Sequence, residues 1–203
     1  MDQKILFEIK KFSGAPIFFT DRKKISDFEK TIKNLPKNSI IIIREYDLDK
    51  NLREDFAKKI INLARAESLR ILVGKDISLA RKLKADGVHF SDLDKLPIQF
   101  FKKKSFEKKF IFSFACHSEK SFLKSKKLKT SILFFAPIFP TTSHLGAKAI
   151  GLKKFAEITF KRSGLSYSSP RIYALGGVNS ENIKSLKKLP IAGFGAIDLF
   201  QKN

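Results

Sequence analysis

The chain has 203 residues, 41 Lys and Arg against 20 Asp and Glu, and 43% hydrophobic content that includes 21 Phe and no Trp. That length suits a single domain over residues 1–203 with one continuous core, and no run reaches the ~18 apolar residues that a membrane-spanning helix needs. The formal charge of +21 favours encounter with phosphates, but the lysines recur in nearly every segment without a zinc-finger or KH-type pattern, so no specific nucleic-acid partner is expected.

The opening segment MDQKILFEIKKFSG lacks a uniform apolar stretch and a small-residue cleavage site, and Cys116 is the one cysteine, which excludes an internal disulfide. A cytoplasmic protein with a buried thiol is expected. From there, hydrophobic runs alternate with charged helical stretches. The expected strands are Pro16 to Thr20, Ile40 to Arg44, Arg70 to Val73, Gly87 to Phe90, Phe110 to Ala115, Ile132 to Ala136, Arg171 to Leu175 and Ile191 to Phe194. Runs such as IIII, FIFSF and ILFF are continuous instead of alternating, the pattern of parallel strands covered on both faces.

Helical spacing falls between them, at Ile25 to Leu35, Leu52 to Ala66, Ser78 to Leu83, Ser118 to Lys127, Leu152 to Thr159 and Ser180 to Leu189. In the second of these Phe56, Ala57, Ile60, Ile61, Leu63 and Ala64 share one face at about 100° per residue, with Asp55, Lys58 and Asn62 toward water. Asn179 and Ser118 are the expected N-caps of the last and fourth helices. The Lys-rich stretch Phe100 to Lys109 reads as a solvated surface segment.

Eight strands with helical crossovers predict an α/β fold, a compact (β/α)8 TIM barrel. Thr20-Asp21-Arg22 stands where an open nucleotide-binding sheet would carry a Gly-rich turn. The sequence runs only a few residues beyond the eighth strand, so the final outer helix is expected to be missing unless Gln3 to Lys11 covers that side. An uncovered side would offer a surface for a homodimer.

Chemistry is expected at the C-terminal rim, where all three histidines (His89, His117 and His144) follow hydrophobic runs. His117, at a strand-to-helix transition, is the acid or base candidate. His89 is expected to orient a substrate or Asp94, and His144 lies in a donor-rich segment, Pro140 to His144, suited to a phosphate oxygen. The three do not reproduce a zinc motif. Asp92 and Asp94, two residues apart, would share a face for a hard cation if the strand continued. Gly176 and Gly177, with Gly193 and Gly195, allow backbone N–H groups to approach an anion at the ends of strands seven and eight. Arg44 with Glu45, and Lys75 with Asp76, are rim pairs able to meet an acidic group.

Taken together, IIIRE, ADGVHFSDLD, ACHS, APIFPTTSHLGAKAIG and YALGGVNSENI resemble, in order, the thiamine phosphate synthase and TenI family of (β/α)8 proteins. The resemblance covers most of the chain from Ile40 onward. For the synthase branch it implies coupling of an aminopyrimidine diphosphate to a thiazole phosphate with loss of diphosphate, assisted by Mg²⁺. It assigns phosphate contacts to Arg44 and Glu45, a metal carboxylate to Asp94, the thiazole phosphate to Thr141 and Ser143, and a phosphate-facing turn to Gly177.

The sequence departs from that pattern at several points. A metal-binding Asp of the family is Lys75, in Gly74-Lys75-Asp76 where the pattern is Asn-Asp-Arg; Gln-Leu-Arg-Glu-Lys has become Ile42-Ile43-Arg44-Glu45-Tyr46; a Lys is His144; and a Ser is Asp198. The TenI branch, in contrast, matches at Ala115-Cys116-His117-Ser118, and implies a 1,3-proton shift that aromatises a thiazole phosphate with no cofactor. The expectation is therefore a thiazole tautomerase using His117. A divergent synthase is the first alternative, and a noncatalytic module binding a phosphate ligand or a protein is the second.

Overall fold

The computed structural model describes residues 3–96, 110–125, 130–141, 148–160 and 170–200. Eight parallel strands, β1 (Ile17–Phe19), β2 (Ile40–Ile43), β3 (Arg70–Gly74), β4 (Gly87–Ser91), β5 (Ile111–Cys116), β6 (Ile132–Phe135), β7 (Arg171–Leu175) and β8 (Gly193–Ala196), form a closed barrel in sequence order. Closure comes from β8 against β1, with Ile17 opposite Gly195 and Phe18 opposite Ala196.

The all-apolar runs bury both faces as expected. Ile40 and Ile42 point into the barrel with Ile17, Phe19, Leu72 and Phe134, whereas Ile41 and Ile43 pack outward beneath the helices. The helices are α1 (Gln3–Ile9), α2 (Phe28–Lys33), α3 (Lys50–Ala66), α4 (Ile77–Lys82), α5 (Glu119–Ser125) and α6 (Leu152–Phe160). Asp27, Asp49 and Asp76 cap α2, α3 and α4 by accepting from backbone N–H groups of their first turns. Asp76 is thereby a helix cap and not a rim partner of Lys75. Helix α3 buries Ala57, Ile60, Ile61 and Ala64 on the expected stripe and leaves Asp55 and Lys58 as an exposed pair 3.2 Å apart. At α5, Ser118 Oγ accepts from Ser121 N, as expected for a cap.

Two elements differ from expectation. The last helical stretch winds as a 3₁₀ helix (Ile183–Lys188), although Asn179 Oδ1 does accept from Glu181 N and Asn182 N. Leu189 is extended before Pro190, which ends the winding at once. Strand β8 starts two residues later than its apolar signal because Gly193 and Gly195 belong inside it. A Cβ on Gly193 would lie 2.9 Å from the Tyr173 ring, and one on Gly195 would lie 2.6 Å from the Phe19 ring. These glycines make room for barrel-filling aromatics.

No α-helix follows β8 among the described residues. A 3₁₀ turn (Asp198–Phe200) buries Leu199 and Phe200, and Phe200 meets Phe18 and Phe194 at centroid distances of 5.8 and 6.3 Å. Phe12 reaches Phe194 at 5.4 Å, Ile9 is buried in the same core, and Glu8 pairs with Lys187. The N-terminal segment thus covers the β8 side, which removes the uncovered surface on which a homodimer was expected. No helix among the described residues is long and apolar enough to cross a membrane.

Candidate functional site

The barrel floor below the C-terminal mouth is aromatic. Phe19 from β1, His89 from β4 and Phe134 from β6 meet edge to face with centroids 5.4 to 5.7 Å apart. His89 is only 5% exposed, and its Nδ1 lies 2.5 Å from Ser113 Oγ. Burial, helped by the positive charges of Arg44 and Lys75 and opposed by Asp94, holds its pKa down at about 3, so this imidazole is neutral near pH 7. It therefore lies inside the mouth instead of on the rim. Its ring bonds to Ser113 and not to Asp94, so of the two partners expected for it, substrate or Asp94, the Asp94 contact is not formed, and the ring faces the cavity.

Above this floor opens a cavity of about 400 Å³, within the usual range for a small-molecule site. Its lining brings together Arg44, Lys75, His89, Asp94, His117, Thr141, Gly176, Gly177 and Gly195 from seven different strand ends, so residues scattered along the sequence converge as expected. Glu45 does not line it. Adjacent strand residues point to opposite faces, and Glu45 turns away to Arg22, accepting from its backbone N–H at 3.0 Å and facing Nε at 3.6 Å. Burial pushes its carboxyl pKa up, against the opposing effect of hydrogen bonds from Thr20 and Arg22. Arg44 and Glu45 are thus not a pair, and among the described residues Arg44 has no carboxylate partner within 4.0 Å.

The two aspartates that follow β4 also part company. Asp92 Oδ1 lies 2.5 Å from His117 Nδ1, and its Oδ2 accepts from the His117 backbone N–H at 3.1 Å. A carboxylate only accepts, so Nδ1 carries the proton in this pair. Burial acts to raise the Asp92 pKa, but the hydrogen bonds from His117 and Ser121 prevail and hold it below the ordinary carboxylate value. Sequence spacing alone paired Asp92 with Asp94; its partnership with His117 was missed because that contact joins β4 to β5.

Asp94 Oδ2 accepts from Ser91 N at 2.7 Å and from Ser91 Oγ at 2.9 Å, while its Oδ1 meets the Lys75 ammonium at 2.7 Å. The expected metal carboxylate is thus held by an ammonium at the position where the family pattern has a second carboxylate. Among the described residues no group of three His, Cys, Asp or Glu side chains is arranged to hold a metal ion. This donor set does not fit Mg²⁺, which would need oxygen ligands where Lys75 presents N–H donors.

Opposite this cationic side, the β7 turn places Gly176 and Gly177 at φ of +92° and +67°. A Cβ on Gly177 would lie 2.4 Å from the Pro140 carbonyl oxygen, so glycine is required for the turn to nest under the β6 loop. Gly195 lines the same end, but its missing side chain is explained by the Phe19 ring. Asp198 also lines the cavity, and its carboxylate meets Lys24 Nζ at 3.1 Å, which offsets the negative charge there. Thr141 reaches the wall, whereas Ser143, His144 and the basic stretch Phe100 to Lys109 lie outside the described residues.

The family called thiamine monophosphate synthase (TMP-TENI) matches residues 17–198. The chain belongs to this family. A putative thiamine-phosphate synthase 2 of Aquifex aeolicus is 32% identical over 187 residues, covering 89% of this chain and 94% of that protein. The thiamine-phosphate synthase of Desulfitobacterium hafniense strain Y51 is 28% identical over 183 residues, covering 88% and 84%. The solved thiamine phosphate pyrophosphorylase of Pyrococcus furiosus superposes with a TM-score of 0.74 at 20% identity over 93% of this chain and 88% of that one, a likeness of fold. The resemblance seen in the sequence is thereby borne out, and these names favour the synthase alternative over the tautomerase first expected.

Proposed function

We propose that this family member is a thiamine phosphate synthase that joins a thiazole phosphate to an aminopyrimidine diphosphate in the barrel mouth. The carrying observation is that one cavity has two ends suited to anions: Arg44 and Lys75 on the β2–β3 side, and the Gly176-Gly177 turn with Thr141 on the β6–β7 side. A proton shift on one phosphorylated ring needs one such end; a coupling reaction needs both. The thiazole nitrogen forms a bond to the pyrimidine methylene carbon as the carbon–oxygen bond to diphosphate breaks, and the diphosphate leaves with that electron pair. Arg44 and Lys75 stabilise the departing charge. The names of the curated relatives support the same reading. The protein is proposed to act in the cytoplasm, as a homodimer only if a surface other than the β8 side mediates it.

A second reading has its own observation. The His117–Asp92 pair is an oriented base, the device that a thiazole 1,3-proton shift requires, and coupling makes no evident demand on it. Phosphorus NMR separates the cases, since a thiazole phosphate and inorganic diphosphate give distinct signals. Simultaneous binding of both supports the synthase, and mutual exclusion would count against a two-ended cavity. Deuterium uptake at the thiazole ring from D₂O, with no pyrimidine present, would support the tautomerase.

A further inference from the structure

Three positions recorded as departures from the family pattern (Tyr46, Gly74 and Lys75) form one structural unit at the β2–β3 edge of the cavity. Two cations lie over the Tyr46 ring, the Lys75 ammonium 4.2 Å and the Arg53 guanidinium 5.5 Å from its centroid. A Cβ on Gly74 would come within 2.4 Å of the Tyr46 hydroxyl, so the ring takes this place only over a glycine. Arg53 ties Gly74 to the same unit by donating to its carbonyl oxygen at 2.5 Å. Lys75 then adopts φ of +60°, a conformation uncommon for a side chain larger than Gly or Asn, and its N–H donates to His89 O at 2.8 Å. From there its ammonium reaches Asp94 at 2.7 Å and lines the cavity with Arg44.

We propose that the Lys75 ammonium is the protein's own substitute for a divalent cation, so that the cavity binds diphosphate without metal. Two carboxylates with a divalent cation carry no net charge, and one carboxylate with one ammonium carries none either. The exchange therefore keeps the charge balance of the edge while removing the need for an ion. Asp94 serves to aim Lys75, and the Tyr46 face restricts its swing, so the donors are pre-organised for an anion beside Arg44. The positive φ at Lys75 is held together with this aim, its N–H bonding to His89 O while its ammonium meets Asp94.

This inference deepens the synthase reading, and its test keeps the two apart. Inorganic diphosphate is titrated calorimetrically into the full chain in EDTA and again in excess Mg²⁺, alongside the coupling reaction in both buffers. The expected result is binding in EDTA that Mg²⁺ does not strengthen, weakened roughly tenfold or more in Lys75→Asn, with a circular dichroism spectrum like the parent's. Asn suits the left-handed backbone, so loss of binding is not loss of fold. Diphosphate binding that requires Mg²⁺, or that is unchanged in Lys75→Asn, would overturn the inference, even if coupling occurs with Mg²⁺. Metal-free binding that depends on Lys75 without any coupling product would leave the inference standing and remove the synthase reading.

Discussion

Acidification should destabilise this protein through His89, and the size of the effect follows from its burial. The imidazole sits among Phe19, Phe134 and Ser113 with its pKa held at about 3 against an ordinary 6.5. Between those values the unfolded chain binds a proton that the folded chain does not, so the free energy of unfolding falls as pH falls. The loss is about 1.4 kcal/mol per pH unit below 6.5, and it levels off once the folded-state pKa is passed. From pH 7 to roughly pH 4.5 it amounts to about 2.5 kcal/mol, a large fraction of the stability of a typical domain. Urea unfolding followed by far-UV circular dichroism across this range measures it, since the chain has no Trp to report by fluorescence. His89→Gln supplies the control: it can still bond to Ser113 but does not titrate, and the remaining ionisable groups are common to both proteins. The variant should lose stability less steeply by about the stated amount. Equal pH slopes, or a His89 ring proton that titrates near 6.5 by NMR, would refute the placement of a neutral imidazole on the barrel floor.

Other consequences follow from the rim. His117→Ala and Asp92→Asn should each slow any proton exchange on a bound thiazole by roughly 10²-fold while leaving phosphate affinity within a few-fold, read by deuterium incorporation and calorimetry. Gly177→Ala must hold a methyl group at φ of +67° against the Pro140 carbonyl. It should cost at least about 1–2 kcal/mol in urea unfolding, along with thiazole phosphate binding; an unchanged midpoint would mean that the turn relaxes freely. Asp198→Asn removes an exposed negative charge from the lining of the cavity and should tighten phosphate binding a few-fold at low salt, with the gain shrinking at high salt. No salt dependence would place the bound phosphate away from this residue.

The fold was legible because its signal is redundant: eight apolar runs, each buried on both faces, fix a closed parallel sheet even where individual boundaries slip. Strand β8 slipped because glycine carries no hydrophobic signal, and its two glycines are set by aromatic rings from β1 and β7 that only the closed barrel brings near. The candidate site was legible as a set of positions but not as partnerships. Rim location follows from strand order, so Arg44, Lys75, Asp94, His117 and Gly177 could be placed together from the sequence. Who bonds to whom depends on side-chain reach across neighbouring strands. Asp92 joins His117, Asp94 joins Lys75, and Glu45 turns outward to Arg22; none of these three contacts is local in sequence. In the sequence Tyr46 is only a departure from the family pattern; its role depends on Gly74, which leaves room for the ring, and on Lys75, whose ammonium lies over it.

The central claim, that two phosphorylated partners are joined in one cavity, is tested most directly by supplying the purified chain with thiazole phosphate and aminopyrimidine diphosphate. Product is followed by mass spectrometry and diphosphate release by phosphorus NMR, with and without Mg²⁺. The account predicts thiamine phosphate and diphosphate appearing in equal amounts, well above the reaction without protein. Absence of thiamine phosphate in both buffers, from a folded protein that still binds the thiazole phosphate, would contradict it.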